Sequence, residues 1–470
     1  MLFSSYTFII LFLPILIILY YLLPVRLRNY LLLCASLVFY AWGGPRYLLV
    51  MLLSILINYV CGLLSDRTKQ RPFAFRLVLI LTILLNLSLL GYYKYFDFLI
   101  GNINSLFGIE IPLKNILLPI GISFYTFQGL SYVLDIRRNR GQVLKNPLKL
   151  ALYISLFPQL IAGPIVRYET IATQIDHRPV NVEQINTGIY RFVWGLSKKV
   201  LIANTVGELA SRYFSANPGE LTIVTSWCGA LAFTLQIYYD FSGYSDMAIG
   251  LGKVFGFSFD ENFRYPYTAD SITEFWRRWH ISLSTWFRDY VYIPLGGNRK
   301  GRFRHYLNIL IVWMLTGLWH GASWNFVAWG VYYAILLILE KIIQNRWHFS
   351  LPKFIRHLYT LFFVIIGWVL FESATLTNAA HYIQTMFTFS SQTDVLTGQL
   401  MQITKEYGWF LIIGLIGSMP TLPAISAFLE NHVNKKTLKI LRALAMILLF
   451  LTCTMRLVVS SYNPFIYFRF

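Results

Sequence analysis

Long apolar segments recur along the whole chain and are separated by short polar stretches. A membrane-spanning helix needs about 20 mostly apolar residues, and several of these segments are shortened or broken by Pro and Gly. The candidate crossings start near Tyr6, Asn29, Tyr47, Phe75, Ile116, Leu148, Thr222, Tyr306, Phe326, Ile355, Trp409 and Leu438. This pattern predicts an all-α polytopic membrane protein with about 11–13 crossings, which forms a single integral-membrane domain over residues 1–470.

The distribution of Lys and Arg predicts the orientation of these crossings. Residues 67–76, 137–149 and 253–304 form basic loops, whereas residues 97–110 and 372–406 are poor in Lys and Arg. Basic loops stay on the cytoplasmic side. All three lie on that side only if residues 185–206, which charged residues interrupt, are interfacial or re-entrant. We therefore expect both termini outside and the basic loops inside.

Composition and charge agree with this class of protein. Of the 470 residues, 56% are hydrophobic and 13% are charged, against about 25% charged in soluble proteins. Basic cytoplasmic loops and anionic membrane lipids account for the net charge of +19, so nucleic acid is not an expected partner. The four cysteines are far apart, and no residues have metal-ligand spacing. We expect no metal and no bound cofactor.

A histidine, His320, lies in the apolar segment that starts near Tyr306. An ionisable group inside a membrane segment indicates a functional site, and histidine readily accepts and returns a proton near neutral pH. The neighbouring Gly317, Gly321 and Ser323 leave room for a ligand, although the glycines could equally serve helix packing. The residues alone leave catalysis and a structural role about equally open.

A second polar and aromatic stretch covers residues 274–290. As one helix it would place Trp276, Trp279, Leu283 and Trp286 on one apolar stripe, which favours either an interfacial anchor or a wall of a cavity. The planar guanidinium group of arginine donates paired hydrogen bonds to phosphate groups, and coenzyme A carries several phosphates. His280 shares a face with Trp276 and Ser284. The candidate donor-binding residues are Arg277, Arg278, Trp276, Trp279, Ser284 and Asp240.

Two aspartates, Asp240 and Asp246, follow the apolar run of residues 230–237. Carboxylates near a membrane segment are costly unless they are paired. They could orient a histidine or bond an arginine, and the sequence leaves both possibilities open.

Several of these stretches together resemble the membrane-bound O-acyltransferases (MBOAT), in particular their bacterial alginate O-acetylation branch. The similarity extends over essentially the whole chain, including residues 2–5 at its start, 121–128, 162–165, 240–246, and 462–468 near its end. The most specific matches are Trp276-Arg277-Arg278-Trp279-His280, Trp286-Phe287-Arg288-Asp289-Tyr290 and Gly317-Leu318-Trp319-His320-Gly321.

The resemblance implies that His320 is the catalytic histidine and that His280 is the second recurrent polar position. It also implies a central tunnel that the acyl donor enters from the cytoplasm. On this basis we expect His320 to act as general base and His280 to bond the carbonyl oxygen or position the donor. The expected donor is acetyl-coenzyme A or another acyl carrier.

The resemblance further implies a location in the bacterial cytoplasmic (inner) membrane. It implies an extracytoplasmic esterase-like partner of the SGNH type and an exopolysaccharide or cell-wall sugar as acceptor. Three rival functions remain at this stage: transfer of D-alanine to teichoic acid, a transporter or flippase without chemistry, and a structural scaffold. The matching ends of the chain favour the alginate-type branch over the first rival.

Overall fold

The computed structural model describes residues 1–138, 140–346, 351–388, 393–459 and 462–466. Within these ranges the regular structure is helical and no β-strand occurs, which confirms the predicted all-α class. The backbone divides into two compact units, Met1–Phe192 with Ser245–Asp260, and Val193–Tyr244 with Glu261–Phe470. The single domain over residues 1–470 stays a prediction.

The first unit is built mainly from the N-terminal helices. Phe8–Phe12 form a π-helical turn ahead of α1, and Gly91–Tyr95 form another between α4 and α5. The helices are α1 (Leu13–Leu22), α2 (Val25–Ala41), α3 (Pro45–Thr68), α4 (Pro72–Leu90), α5 (Phe96–Phe107), α6 (Ile122–Arg137), α7 (Pro147–Ser155), α8 (Phe157–Leu160) and α9 (Tyr168–Ile171). The sequence left the partner of Asp246 open. Within this unit the carboxylate of Asp246 pairs with the guanidinium of Arg191 at 2.8 Å.

Three further helices are α10 (Val182–Ser197), α11 (Asn204–Phe214) and α12 (Ile223–Val254), of which α10 and α12 contribute residues to both units. The rest of the second unit follows from residue 261 onward. Its helices are α13 (Ile272–Arg278), α14 (Ile281–Phe287), α15 (Arg302–His320), α16 (Trp324–Arg346), α17 (Lys353–Glu372), α18 (Leu376–Met386), α19 (Thr393–Gly417), α20 (Thr421–His432) and α21 (Lys435–Val459).

Five helical segments among the described residues are long and apolar enough to cross a membrane. They are Pro45–Thr68, Pro72–Phe107, Trp324–Gln344, Lys353–Glu372 and Lys435–Val459. A sixth crossing results if Leu396–Gly417 and Thr421–His432, which meet at 71°, form one bent span. The larger number expected from the sequence counts shorter and broken helices, such as the segment from Leu148, where α7 ends at Ser155. That number stays a prediction.

Residues 185–206, expected to be interfacial or re-entrant, belong to a continuous helical run from Val182 to Phe214. Its middle, Lys198–Ala203, is π-helical. Lys199 is buried there and pairs with Asp240 at 2.6 Å, with both side chains at most 3% exposed. Because this charge is neutralised by a partner, it does not by itself exclude the run from the membrane.

The orientation of the chain can be tested at two exposed positions, Arg299 and Asn378. In a variant that lacks the four native cysteines, we expect a membrane-impermeant thiol reagent added outside intact cells to modify Asn378→Cys. Arg299→Cys should react only after the membrane is permeabilised, because its loop is basic and therefore cytoplasmic. The reverse labelling pattern would overturn the orientation and the cytoplasmic entry of the donor.

Helices α15 and α16 approach closely through glycines. A Cβ on Gly317 would lie 2.2 Å from the carbonyl oxygen of Phe326, and a Cβ on Gly330 would lie 2.3 Å from that of Trp313. A Cβ on Gly321 would lie 2.2 Å from the ring of Phe326. Gly317 and Gly321 therefore serve helix packing and leave no space for a ligand, which settles the alternative that the sequence left open.

Candidate active site

The second unit contains a cavity of about 470 Å³, within the range of small-molecule sites. His280 and His320 both line it. Most of the residues singled out from the sequence are also in its wall, namely Trp276, Trp279, Arg277 and Ser284. Arg288 adds a second cation, and the other lining residues supply hydroxyls and apolar surface: Thr273, Ile281, Leu283, Thr285, Phe287, Tyr292, Val312, Trp313, Thr316 and Leu337.

His280 lies at a break between two short helices. The single helix expected over residues 274–290 is wrong, because α13 ends at Arg278 and α14 begins at Ile281. His280 itself is in the left-handed region, with φ 42°. The preceding segment takes over the backbone hydrogen bonds at the break: Arg264 N donates to Arg278 O, and Ile281 N donates to Asn262 O, each at 3.0 Å.

The imidazole of His280 is 1% exposed and is held on one edge by an amide side chain. Its Nδ1 lies 3.1 Å from Oδ1 of Asn262, whereas its Nε2 is buried and has no hydrogen-bond partner among the residues that the structure covers. The ring of Phe241 packs edge-on against it at 4.5 Å. The flanking helices are too short to span a membrane. Burial, with a smaller contribution from His320, lowers the pKa of His280 well below its usual range, so the ring is neutral at pH 7.

His320 is the last residue of α15 and is 4% exposed. Aromatic rings surround it: Trp319 at 4.9 Å, Trp329 at 5.1 Å and Phe371 at 5.2 Å between ring centroids. This cage fixes the plane of the imidazole while the residue still lines the cavity. A truncation to Ala would therefore open a void beside these rings.

A buried carboxylate from α16 positions the short helix that carries Trp276 and Arg277. Glu340, 8% exposed, accepts hydrogen bonds from the backbone N–H groups of Ile272 and Thr273 at 2.6 and 2.9 Å. An anion at a helix N-terminus satisfies free N–H groups and complements the helix dipole. Glu340 thus holds α13 against the cavity.

The two tryptophans of the motif differ in their surroundings. Trp279 packs on Trp368 at 4.8 Å and is part of the core as well as of the cavity wall. The indole Nε1 of Trp276 is buried without a hydrogen-bond partner in the described part of the chain. Because an indole N–H is a donor only, Trp276 offers a donor that a ligand in the cavity could satisfy.

The arginines near the cavity fall into two groups. Arg277 and Arg288 line it, with side chains 73% and 59% exposed, so the cavity reaches the protein surface beside them. Arg278 does not line it, and its guanidinium is bonded to Glu274 at 2.8 Å and to Thr268 at 2.7 Å. Asp240 is also outside the cavity wall, in the ion pair with Lys199. The donor-binding roles of Arg278 and Asp240 stay predictions that the placement does not favour.

Two residues that shape the site were missed from the sequence. Asn262 and Glu340 lie outside the Trp/His/Arg motifs and are joined to them only by the fold. A carboxylate in the apolar segment of α16 was a signal for Glu340, since such a group requires partners. No comparable signal marked Asn262.

The arrangement suits proton transfer and acyl chemistry. Two imidazoles share a largely apolar cavity with Trp276, and two arginines lie where the cavity meets the surface. Across the ranges that the structure describes, no group of three or more His, Cys, Asp or Glu residues is placed to hold a metal ion.

Comparison with known proteins identifies the family. The family model of the membrane-bound O-acyltransferases matches residues 141–380, which include both histidines. The chain is 40% identical to the probable alginate O-acetylase AlgI of Azotobacter vinelandii over the full length of both proteins. It is 35% identical to a peptidoglycan O-acetyltransferase of Helicobacter pylori, over 87% of this chain and 83% of the relative.

A teichoic acid D-alanyltransferase of Bacillus subtilis is more distant, at 28% identity over 56% of this chain and 70% of the relative. The matched region and the full-length similarity together give one assignment. The chain belongs to the membrane-bound O-acyltransferase family and is a multi-pass membrane O-acyltransferase.

Proposed function

We propose that this protein moves an acetyl group from a cytoplasmic thioester donor, acetyl-coenzyme A, for the O-acetylation of an extracytoplasmic polysaccharide. The observation that carries the proposal is that His280 and His320 line one cavity, which reaches the surface beside Arg277 and Arg288. The similarity to an alginate O-acetylase and to a peptidoglycan O-acetyltransferase supports acetyl as the group and a polysaccharide as the acceptor.

In the proposed reaction an acceptor hydroxyl attacks the carbonyl carbon of the thioester. His320 takes the hydroxyl proton as the C–O bond forms. The C–S bond then breaks, and the same imidazole returns the proton to the departing sulfur, which leaves as the thiol. No net proton is consumed. The aromatic cage holds the ring of His320 in place through both steps, and the apolar wall keeps water from competing with the acceptor.

The size of the cavity and the position of the arginines fit a donor with a slender arm and a charged end. A volume of about 470 Å³ suits the acyl group and the pantetheine arm, whereas the nucleotide phosphates would remain near the surface. Arg277 and Arg288 are exposed there, and Arg288 also donates from two of its nitrogens to the carboxylate of Asp289. Guanidinium N–H groups bind phosphates. No bound cofactor is required in this scheme.

We place the protein in the bacterial cytoplasmic (inner) membrane, with a separate extracytoplasmic esterase-like partner of the SGNH type that completes transfer to the polymer. This placement rests on the basic loops and on the full-length similarity to the alginate O-acetylase. Transfer of D-alanine to teichoic acid is less well supported, because that relative matches only 56% of the chain. A transporter without chemistry would need no histidine in the cavity.

The donor site can be tested by comparing arginines that line the cavity with one that does not. Arg277→Gln combined with Arg288→Gln should raise the KM for acetyl-coenzyme A roughly tenfold with little change in kcat. The reason is that charge-assisted bonds to phosphate contribute about 1.5–3 kcal/mol each before solvent screening. The measurement is the initial rate of acetyl transfer in membranes as a function of donor concentration.

Arg278→Gln is the matched control, because Arg278 lies on the same short helix and its bonds are to Glu274 and Thr268. It should leave the KM within about twofold of the parent. If the double variant also keeps the parental KM, Arg277 and Arg288 are interfacial anchors and the donor binds elsewhere.

A further inference from the structure

The side chain of Asn262 lies beside the break that carries His280. Asn262 is 1% exposed and precedes Phe263, whose ring also packs against the imidazole. The backbone carbonyl of Asn262 accepts from Ile281 N, which fixes the asparagine relative to the break. Nothing in the sequence motifs singled it out, yet its amide contacts the histidine directly.

The orientation of the Asn262 amide is set by a backbone group. The N–H of Ser282 lies 3.2 Å from Oδ1 of Asn262, and the Ser282 hydroxyl donates to the same oxygen at 2.9 Å. A backbone N–H can only donate, so the amide atom that faces it must be the oxygen and not the NH₂ group. The oxygen therefore also faces His280.

This orientation determines which nitrogen of His280 carries the proton. Nδ1 lies 3.1 Å from the Asn262 oxygen, and an oxygen that only accepts requires a donor opposite it. In a neutral imidazole one nitrogen donates and the other accepts, so a proton on Nδ1 leaves a lone pair on Nε2. Nε2 is the ring nitrogen left without a partner among the described residues, and His280, unlike Asn262, lines the cavity.

We propose that Asn262 is a positioning residue that holds neutral His280 in the Nδ1–H tautomer, so that Nε2 presents a lone pair to the substrate. This proposal rests on the proposed function and refines it. The expectation that His280 donates a hydrogen bond to the thioester carbonyl does not agree with this tautomer. His280 instead accepts a hydrogen bond from the substrate, whose available donors are the acceptor hydroxyl and the amide N–H groups of the pantetheine arm.

The tautomer can be measured without any substrate. The protein, labelled with ¹⁵N in its histidine rings and reconstituted in lipid, is studied by solid-state NMR, and the His280 signals are assigned by their loss in His280→Gln. We expect the parent protein to carry the proton on Nδ1 of His280. Asn262→Asp, which keeps an acceptor oxygen, should retain this tautomer, and Asn262→Leu should lose it. A proton on Nε2 in the parent would overturn the proposal.

Activity supplies the second test. Asn262→Leu should lower kcat by at least about tenfold, and a fixed wrong tautomer can cost as much as about 10⁴-fold in a histidine enzyme. Asn262→Asp should recover most of the loss, because a carboxylate of nearly the same shape keeps the acceptor oxygen that faces His280. Asn378→Leu, at an exposed position on α18, is the control for expression. Parental activity in Asn262→Leu, or an equal loss in both Asn262 variants, would contradict the proposal.

The two tests separate this proposal from the proposed function. If Asn262→Leu does not accumulate in the membrane, the tautomer of the parent protein still decides the question. If His320→Gln retains acyl transfer, the proposed mechanism fails. The tautomer of His280 can still be measured, because the NMR experiment needs neither substrate nor activity, and it still decides whether Asn262 positions the ring.

Discussion

His320→Gln is expected to lower acyl transfer by about 10²–10⁴-fold while the protein still inserts into the membrane. Gln keeps hydrogen bonding but cannot take the hydroxyl proton. It also fills most of the aromatic cage around His320, in contact with Trp329 and Phe371. The Gln variant therefore removes the base without the void that an Ala variant would create, so a loss of activity is due to the missing base.

The measurement is the acetyl content of the acceptor polymer in cells that carry each variant at matched protein level. His381→Gln is the control, because His381 is an exposed residue on α18, outside the cavity wall. It should acetylate normally. Near-normal acetylation by His320→Gln would mean that the histidine is structural.

Lys199→Met is expected to destabilise the protein by about 3–5 kcal/mol, because it leaves the buried carboxylate of Asp240 without its counter-charge. The ion pair is at 2.6 Å, and both side chains are at most 3% exposed. The pair also holds the C-terminal segment: Lys199 donates to the carbonyl of Pro464, and Asp240 accepts from Ile466 N at 3.0 Å. Loss of Lys199 therefore loosens this segment as well.

The stability test is thermal unfolding of the purified protein in detergent. Lys199→Met combined with Asp240→Asn should recover most of the loss, since Asn removes the unpaired charge but keeps an oxygen for Ile466 N–H. An apparent melting temperature that is unchanged in Lys199→Met would show that the pair contributes little. A double variant less stable than Lys199→Met would show that Asp240 is needed for another reason.

The sequence predicted the helical class and most of the cavity wall because both depend on local properties. The length of an apolar segment predicts a membrane-spanning helix. The Trp/His/Arg motifs lie within short distances of one another along the chain. The Trp/His/Arg motif put His280 and Trp276 on one face, and the family resemblance joined His280 to His320; all three residues line the cavity. The family resemblance, confirmed by the matched region, added the acyltransferase function.

The break at His280 could not be predicted from helical periodicity. It depends on Asn262 and Arg264, which compete for the backbone groups of the motif from an earlier part of the chain. Periodicity reports which faces of a helix are apolar, but it does not report where a neighbouring segment interrupts the helix. The predicted stripe is therefore interrupted: Trp276 lies on α13, Trp279 at the break and Trp286 on α14.

The partners of charged residues also depend on tertiary structure. Arg277 and Arg278 are adjacent in sequence, but only Arg277 lines the cavity, while Arg278 is bonded to Glu274 and Thr268. Asp240 resembled a cavity residue because a carboxylate near a membrane segment needs a partner. That partner is Lys199, in the run of residues 185–206, whose charges predicted an interfacial or re-entrant segment. Tyr467 and Phe468, at the end of the matching C-terminal stretch, lie outside the described residues.

Catalysis by His320 with a donor from the cytoplasmic side can be measured in inverted membrane vesicles. Their cytoplasmic face points outward, and they are prepared from cells that make the polymer. Radiolabelled acetyl-coenzyme A is added outside the vesicles, and label in the enclosed polymer is measured. We predict that the parent protein transfers label and that His320→Gln transfers at most about a hundredth as much. Equal transfer by both proteins would show that His320 is not the catalytic base, and transfer only with the donor inside the vesicles would show that the donor does not enter from the cytoplasm.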